Sequence, residues 1–230
     1  MFSDFDFNVI ERSLGYLFFT GMTFSLTLTA LATLTGIAFG TLLAMMRLST
    51  LPVLPVLATG YVNLMRSLPL ILVIFWFYFL VPYLGQWVTG SDQPMQVGPF
   101  ASALIAFSMF EAAYYSEIMR AGIKSIPRGQ TSAASALGMK YWPTMAYVIL
   151  PQAFRNMLPV LLTQTVILFQ DTSLVYVLSM TDFLGAASKI AARDGRLVEM
   201  YMFAAVVYFV MSYAASIFIK RLQIKIAIVR

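Results

Sequence analysis

The sequence contains no cysteine and no histidine. Disulfides, thiolate or imidazole metal sites, and any nucleophile activated by a Ser-His or Cys-His pair are thereby excluded. It has no G-x-x-x-x-G-K-[ST] stretch, hence no cradle for a nucleotide's phosphates, and the chain is not expected to hydrolyse ATP or to be an enzyme. An enzyme embedded in the membrane would still need paired acids or a nucleophile with its base inside the apolar runs, and the acids here are scattered. Charge itself is scarce: 11% of the 230 residues are Asp, Glu, Lys or Arg, against roughly 25% in soluble domains. With 60% hydrophobic residues and a mean hydropathy of +0.81, composition alone points to an integral membrane protein, and the length of its uncharged runs to an all-α one. The net charge of +5 is dispersed rather than gathered into a stripe, which argues for topology control and against nucleic acid. Asp4, Asp6 and Glu11 stand where a leader peptide would carry basic residues, so no cleavable leader is expected.

Uncharged apolar runs of about 20 residues mark candidate spans. Five are expected, at about 14–47, 61–81, 100–123, 152–171 and 198–219. Thr27, Thr29, Thr33, Thr35, Gly36 and Gly40 give the first a small-residue face suited to close helix packing. Pro52 and Pro55 predict a turn after Arg47, and the Pro, Gly and Ser content of 82–99 predicts a loop. Residues 172–196 read as a loop with a short helix. With the C-terminus inside, eleven of the fifteen Lys and Arg fall on the cytoplasmic side; Arg12, Lys189, Arg193 and Arg196 fall outside. That asymmetry predicts an outer N-terminal segment (1–12) and a cytoplasmic tail (223–230), although the 172–196 loop is more basic than an outer loop should be. No internal repeat is visible, which disfavours an inverted-repeat secondary transporter.

Between the two apolar halves lies IPRGQTSAASALGMKYWPTMAYVILPQA, from Ile126 to Ala153. Ser132, Ala133, Ala134, Ser135 and Ala136 make a helix with a nearly bare surface, expected at about 128–142, and Gly138 suits a C-cap with positive φ. Such a helix either packs on its own subunit or seats in a groove of another protein. Its spacing resembles the coupling motif of permease subunits of bacterial ABC importers: EAA, three residues, Gly, nine residues, I-x-L-P. Ala133 and Ala134 precede Gly138 at the family distance, and Val148, Ile149, Leu150 and Pro151 occupy the I-x-L-P positions. Gln130 ahead of the motif and Gln152-Ala153 behind it are similar to the polar amino acid branch. Ser132 replaces the family's Glu and Val148 its Ile, which removes one candidate salt bridge. Glu111-Ala112-Ala113 spells EAA literally, but Glu117 rather than Gly follows at the family distance, inside the third run.

YVNLMRSLPLILVIFWFYFLVP, FSMFEAAYYSEIMRAGIKSIPRGQ and LFQDTSLVYVLSMTDF extend the resemblance to the glutamate/aspartate import permeases of this branch. It implies a type I ABC importer fold with five transmembrane helices over residues 13–222, N-terminus periplasmic and C-terminus cytoplasmic, in the bacterial inner membrane. The implied partners are an ABC ATPase dimer carrying ATP and Mg, a second homologous permease or a second copy of this chain, and a periplasmic amino-acid-binding protein. No cofactor is implied in this chain itself. Gln130, Ser132, Ala133, Ala134, Gly138, Val148, Leu150 and Pro151 become the candidate ATPase-coupling residues. The alternative is an ATP-independent carrier or channel subunit, which would explain acids within the spans but not the small-residue helix.

Ionisable residues inside spans are costly and are functional candidates. Glu111 lies roughly 13 Å from Arg120 along a helix, near the bilayer midplane, with Tyr115 and Ser108 on its face. It either lines a translocation path or makes a structural hydrogen bond to a neighbouring subunit. Asp171 lies about 24 Å along the fourth helix from Arg155, with Gln164 one heptad earlier on its face and Gln170, Thr172 and Ser173 beside it. This polar end is a candidate outer gate. Glu117 and Arg120 read as an ordinary i,i+3 pair.

Overall fold

The structure, a computed structural model, describes residues 5–226 and is helical throughout, with no strand among the described residues. Asp4 and Arg230, used in the charge arguments, and the last four residues of the expected tail lie outside the described residues. Helix α1 (Phe7–Tyr16) continues through a wide π-turn (Leu17–Met22) into α2 (Thr23–Arg47). There follow α3 (Val53–Ser67), α4 (Leu70–Thr89), α5 (Pro99–Lys124), α6 (Arg128–Ala136) and α7 (Tyr141–Thr144). A second π-turn (Met145–Ile149) leads into α8 (Leu150–Asp171), a 3₁₀ turn (Thr172–Leu178), α9 (Phe183–Asp194) and α10 (Leu197–Ile226).

Four segments among the described residues are both long and apolar enough to cross a membrane: Phe7–Arg47, Leu70–Thr89, Tyr141–Leu178 and Leu197–Ile226. The expected third span, α5, has the length but not the apolarity. Its packing supplies the reason: α5 is the centre of the bundle, with Ala106, Phe107, Glu111, Ala113, Tyr115 and Ser116 fully enclosed. A helix wrapped by protein rather than lipid can carry Ser, Glu and Tyr provided they find partners. Conversely, Phe19, Trp87, Val88, Phe209 and Phe218 on the outer helices are more than half exposed, a surface suited to hydrocarbon and not to water.

Helices α2 and α5 run in the same direction, as the pairs Phe24–Phe100, Thr35–Ser108 and Thr41–Met119 show. They touch where α2 has no side chain. A Cβ at Gly36 would come within 3.0 Å of Glu111 Cβ, and one at Gly40 within 2.8 Å of Tyr115 Cβ. The π-turn does the same for α9: Gly21 faces Ala186 and the backbone of Asp182 and Phe183, and Ser25 Oγ accepts from the Phe183 N–H at 3.1 Å.

Several boundaries differ from the sequence expectation. The run 61–81 is not one helix, because Pro69 holds Leu68 extended (φ −104°, ψ 141°) and splits it between α3 and α4. Pro55, read as part of a turn, sits in the first turn of α3, where no intrahelical N–H is missed. The loop expected at 82–99 is confined to 90–98: α4 runs through Pro82 to Thr89 and ends at Gly90, φ +65°. Residues 172–196 are mostly helical rather than loop, since Asp182 caps α9 by accepting from the N–H groups of Leu184 and Gly185. The helix expected at 128–142 is divided into α6 and α7 by the turn at Gly138. The excess of base in 172–196 also has an explanation. Arg193 and Arg12 both grip Asp194, holding its carboxyl down to about 2, and Arg196 pairs with Glu199 at 3.1 Å.

Candidate functional site

The motif segment is built as a unit. Helix α6 ends in a Schellman cap: the Gly138 N–H reaches Ser135 O at 2.9 Å and the Met139 N–H reaches Ala134 O at 3.0 Å, with Gly138 at φ +75°. Ala134 is buried, whereas Gln130, Ser132, Ala133 and Ser135 face outward. Twenty-two residues on, Gln152 Nε2 donates to Gln130 Oε1 at 3.4 Å and to Val148 O at 2.8 Å. Ile126, Ile149 and Ala153 form a small apolar cluster beneath, with Val148 against it. The structure thus brings together the two halves of the motif, with Leu150 and Pro151 exposed beside the junction. The Glu that Ser132 replaces leaves no structural gap, since Ser132 Oγ donates to Arg128 O at 3.2 Å.

Leu137, Tyr141, Trp142 and Tyr147 were not singled out from the sequence, yet they are the exposed large apolar groups of this segment. The available signal was their size: bulky side chains directly after a helix made of Ala, Ser, Gly, Thr, Gln and Arg.

The second candidate region is the polar interior. Glu111 is fully buried, and Gln164 Nε2 on α8 donates to both its Oε1 and Oε2 at 3.2 Å. Tyr115, one turn on, lies against Gly36 and Gly40 and shares a hydrogen bond of 3.0 Å with Thr165. These three predicted residues therefore meet in one place, the junction of α2, α5 and α8. Of the other four, Asp171 lies within electrostatic range of Glu111, and the remaining three do not join them. Gln170 donates to Ser212 on α10 at 2.9 Å, and with Ser173 it borders a cavity of about 270 Å³ against Tyr201 and Tyr208. Thr172 turns back to Phe169 O, and Asp171 is half-buried.

Gln164 is the donor to Glu111 among the described residues, which makes a prediction. Gln164→Leu strands a buried carboxyl and is expected to cost about 1–3 kcal/mol, seen as a lower Tm in detergent. Glu111→Leu combined with Gln164→Leu is expected to recover much of that loss, because no polar group is then left unpaired.

A third arrangement was only half anticipated. Glu117 does pair with Arg120 one turn on, but Arg47 from the end of α2 also donates to its Oε2 at 2.5 Å. Arg66 from α3 stands 4.0 Å from the same oxygen, its guanidinium 5.6 Å from the centre of the Tyr114 ring. Three arginines from three helices thus surround one carboxylate. Nothing in the spacing of residues 47, 66 and 117 announces this contact.

Residues 36–227 match the model of the family described as binding-protein-dependent transport system inner membrane component. The chain is 53% identical over 220 residues to the glutamate/aspartate import permease protein GltK of Escherichia coli O6:H1, covering 96% of this chain and 97% of that protein. It is 33% identical over 190 residues to the probable glutamine ABC transporter permease protein GlnP of Bacillus subtilis, covering 81% and 83%. The crystal structure of an amino acid ABC transporter with histidines superposes with a TM-score of 0.84 at 30% identity, covering 96% of this chain and 98% of that one. The MetNI methionine ABC transporter shares the fold, with a TM-score of 0.74 at 17% identity over 93% of this chain and 97% of that one. The chain belongs to the family of binding-protein-dependent transport system inner membrane components: it is a multi-pass permease of the inner membrane.

Proposed function

We propose that this chain is the transmembrane permease subunit of an ATP-driven importer of polar amino acids, with glutamate and aspartate as its substrates. The observation that carries the importer reading is the motif segment. A capped, small-residue helix, tied through Gln130 and Gln152 to the start of α8, holds its bare face and Leu137 outward. A helix that only closed the chain's own core would bury that face. The 53% identity to a glutamate/aspartate import permease over nearly the whole chain supports the substrate.

In this reading five spans cross the bilayer: α1 with α2, α4, α5, α8 and α10. The N-terminus is periplasmic and α6 cytoplasmic, as the distribution of Lys and Arg favours. A separate ATPase dimer, holding ATP and Mg, docks on α6. A second permease completes the path, and a periplasmic binding protein delivers the amino acid. Gln164, half-buried, borders that path at mid-depth with Glu111 and Tyr115 enclosed behind it, and Asp171 stands toward its outer end. Acidic groups do not attract an acidic substrate: the enclosed Glu111 is structural, Asp171 meets at most the ammonium group, and the carboxylates are met elsewhere.

The test uses the absence of Cys. Ser135→Cys in otherwise native chain, crosslinked in membranes and identified by mass spectrometry, is expected to capture a P-loop ATPase, with a second permease co-purifying. Recovery of the chain alone, together with uptake that does not depend on ATP, would favour a carrier and overturn the importer reading.

A further inference from the structure

We infer that Glu117 is a partner-switching pin: it holds Arg47 while exchanging Arg120 for Arg66 as α5 moves, and so passes motion from α6 to α2 and α3. The inference deepens the importer reading and rests on it.

The end of α5, the whole of α6 and the start of α8 are bound to one another by Gln130–Gln152, by the Ile126, Ile149 and Ala153 cluster, and by Asn156 Nδ2 donating to Ser125 Oγ at 2.8 Å. Gly122 seats against Met157, where a Cβ would lie 2.9 Å from Met157 Cβ, and this closes the same unit from the α5 side. A push on α6 is therefore passed to the start of α8 and, through Ile126, Ser125 and Gly122, toward the last turns of α5.

The next step is how those turns hold α2 and α3. Higher up, α2 and α5 are locked by backbone contact at Gly36 and Gly40 and cannot slide past one another. Near the motif segment the connection is different. No glycine is locked against backbone there: Ala44 packs in one apolar cluster with Met119, and the polar ties are Arg47 to Glu117 and Thr41 Oγ1 donating to Met119 Sδ at 3.2 Å. Ion pairs tolerate a shift of an ångström or two that a packed glycine contact does not.

The stoichiometry supplies the second arrangement. Both oxygens of Glu117 are occupied: Oε2 takes Arg47 Nη1 and, at 3.4 Å, Arg120 Nε, Oε1 takes Arg120 Nη2, and Arg66 stands at 4.0 Å, beyond hydrogen-bond reach. Arg47 is nearly buried, with 9% of its side chain exposed, and so stays; Arg66 is 43% exposed and free to swing. Arg120 lies on the same helix as Glu117, so that pair binds α5 only to itself. Exchanging it for Arg66 replaces an intrahelical bond with one between α5 and α3. A carboxylate with one fixed and two competing partners on different elements is a two-state contact, the kind of element that carries coupling between sites.

The experiment compares variants in the complete transporter, co-purified with its ATPase and reconstituted in vesicles with the binding protein, following uptake, ATP hydrolysis and Tm together. Arg66→Gln removes the waiting partner while leaving the bonds seen here intact. It is expected to lower uptake about tenfold with hydrolysis and Tm close to wild type, a coupling loss in the usual range for linked sites. Arg66→Lys, which keeps the charge, is expected to restore part of the uptake, and Tyr114→Leu, which removes only the ring beneath Arg66, to change the ratio little. Arg66→Gln with a wild-type ratio of ATP to substrate overturns the switch. So does a fall in Tm that accounts for the lost uptake. Absence of ATP-dependent uptake by the wild-type assembly overturns the importer reading and the switch with it, whereas wild-type uptake with Arg66→Gln unchanged overturns the switch alone.

Discussion

Gly40→Leu is expected to leave no correctly folded chain. A Cβ at Gly40 would lie 2.8 Å from Tyr115 Cβ, 3.0 Å from Ser116 N and 3.1 Å from Ala112 O. Two of those three atoms are backbone of α5, which cannot yield by changing rotamer, and the third is fixed by the buried Tyr115 ring. Gly40 lies in the helical region and is not among the positive-φ residues, so space and not backbone freedom is what it supplies. One added methyl in such a contact costs about 1–3 kcal/mol. A leucine's three further carbons drive α2 off α5 over several turns, and the loss becomes comparable with the roughly 5–15 kcal/mol that holds a typical fold. Gly60→Leu is the control, because nothing lies within 4 Å of its Cβ and the change raises helix propensity. Monodispersity and Tm in mild detergent measure both: Gly60→Leu near wild type, Gly40→Leu aggregated or absent. A well-folded Gly40→Leu chain would mean that α2 and α5 do not approach as closely as their glycines indicate.

The small-residue face of the first span was legible because Thr and Gly recur on it at helical spacing, and that face does meet α5 at Gly36 and Gly40. The Gly138 cap was legible too, since a positive φ after a run of Ala and Ser asks for glycine. What the sequence hid depends on contacts between distant residues. Hydropathy could not show that α5 lies inside the bundle, so Glu111 was expected to face a translocation path or a neighbouring subunit, whereas its partner Gln164 belongs to the same chain. The five residues from Gln164 to Ser173 looked like one site because they share a stretch of chain. The helix turns Gln164 toward Glu111 and Gln170 toward Ser212, on different neighbours. Arg47 and Arg66 gave no local signal, for each stands in the last turn of a helix where a Lys or Arg is ordinary, and Glu117 signalled only its neighbour Arg120. Their meeting follows only from the parallel run of α2 beside α5 and the break at Pro69 that turns α3 back toward it.

Leu137→Asp is expected to stop ATP-driven uptake in a chain that folds normally. Leu137 is 82% exposed and follows the last turn of α6, so the permease's own packing loses almost nothing when it is replaced. Its backbone N–H groups with the Ala133 and Ala134 carbonyls, and Asp satisfies that bond equally well. An exposed leucine beside Tyr141, Trp142 and Tyr147, on a segment otherwise polar or small, is out of place against water and suited to an apolar recess on a partner. A carboxylate in that recess is desolvated without a counter-charge, a penalty of several kcal/mol in an interface core. A loss of about 3 kcal/mol or more in docking corresponds to more than a hundredfold weaker association. Leu137→Met, which keeps size and apolarity, is expected to be nearly silent. Co-purification of the ATPase, uptake and Tm separate the cases. Lost ATPase and lost uptake at wild-type Tm place Leu137 in the docking contact. Retained ATPase with normal uptake would move that contact away from the α6 tip, onto the bare face of Ser132, Ala133 and Ser135, where a bulky side chain at Ser135 would then be the substitution that separates the two proteins.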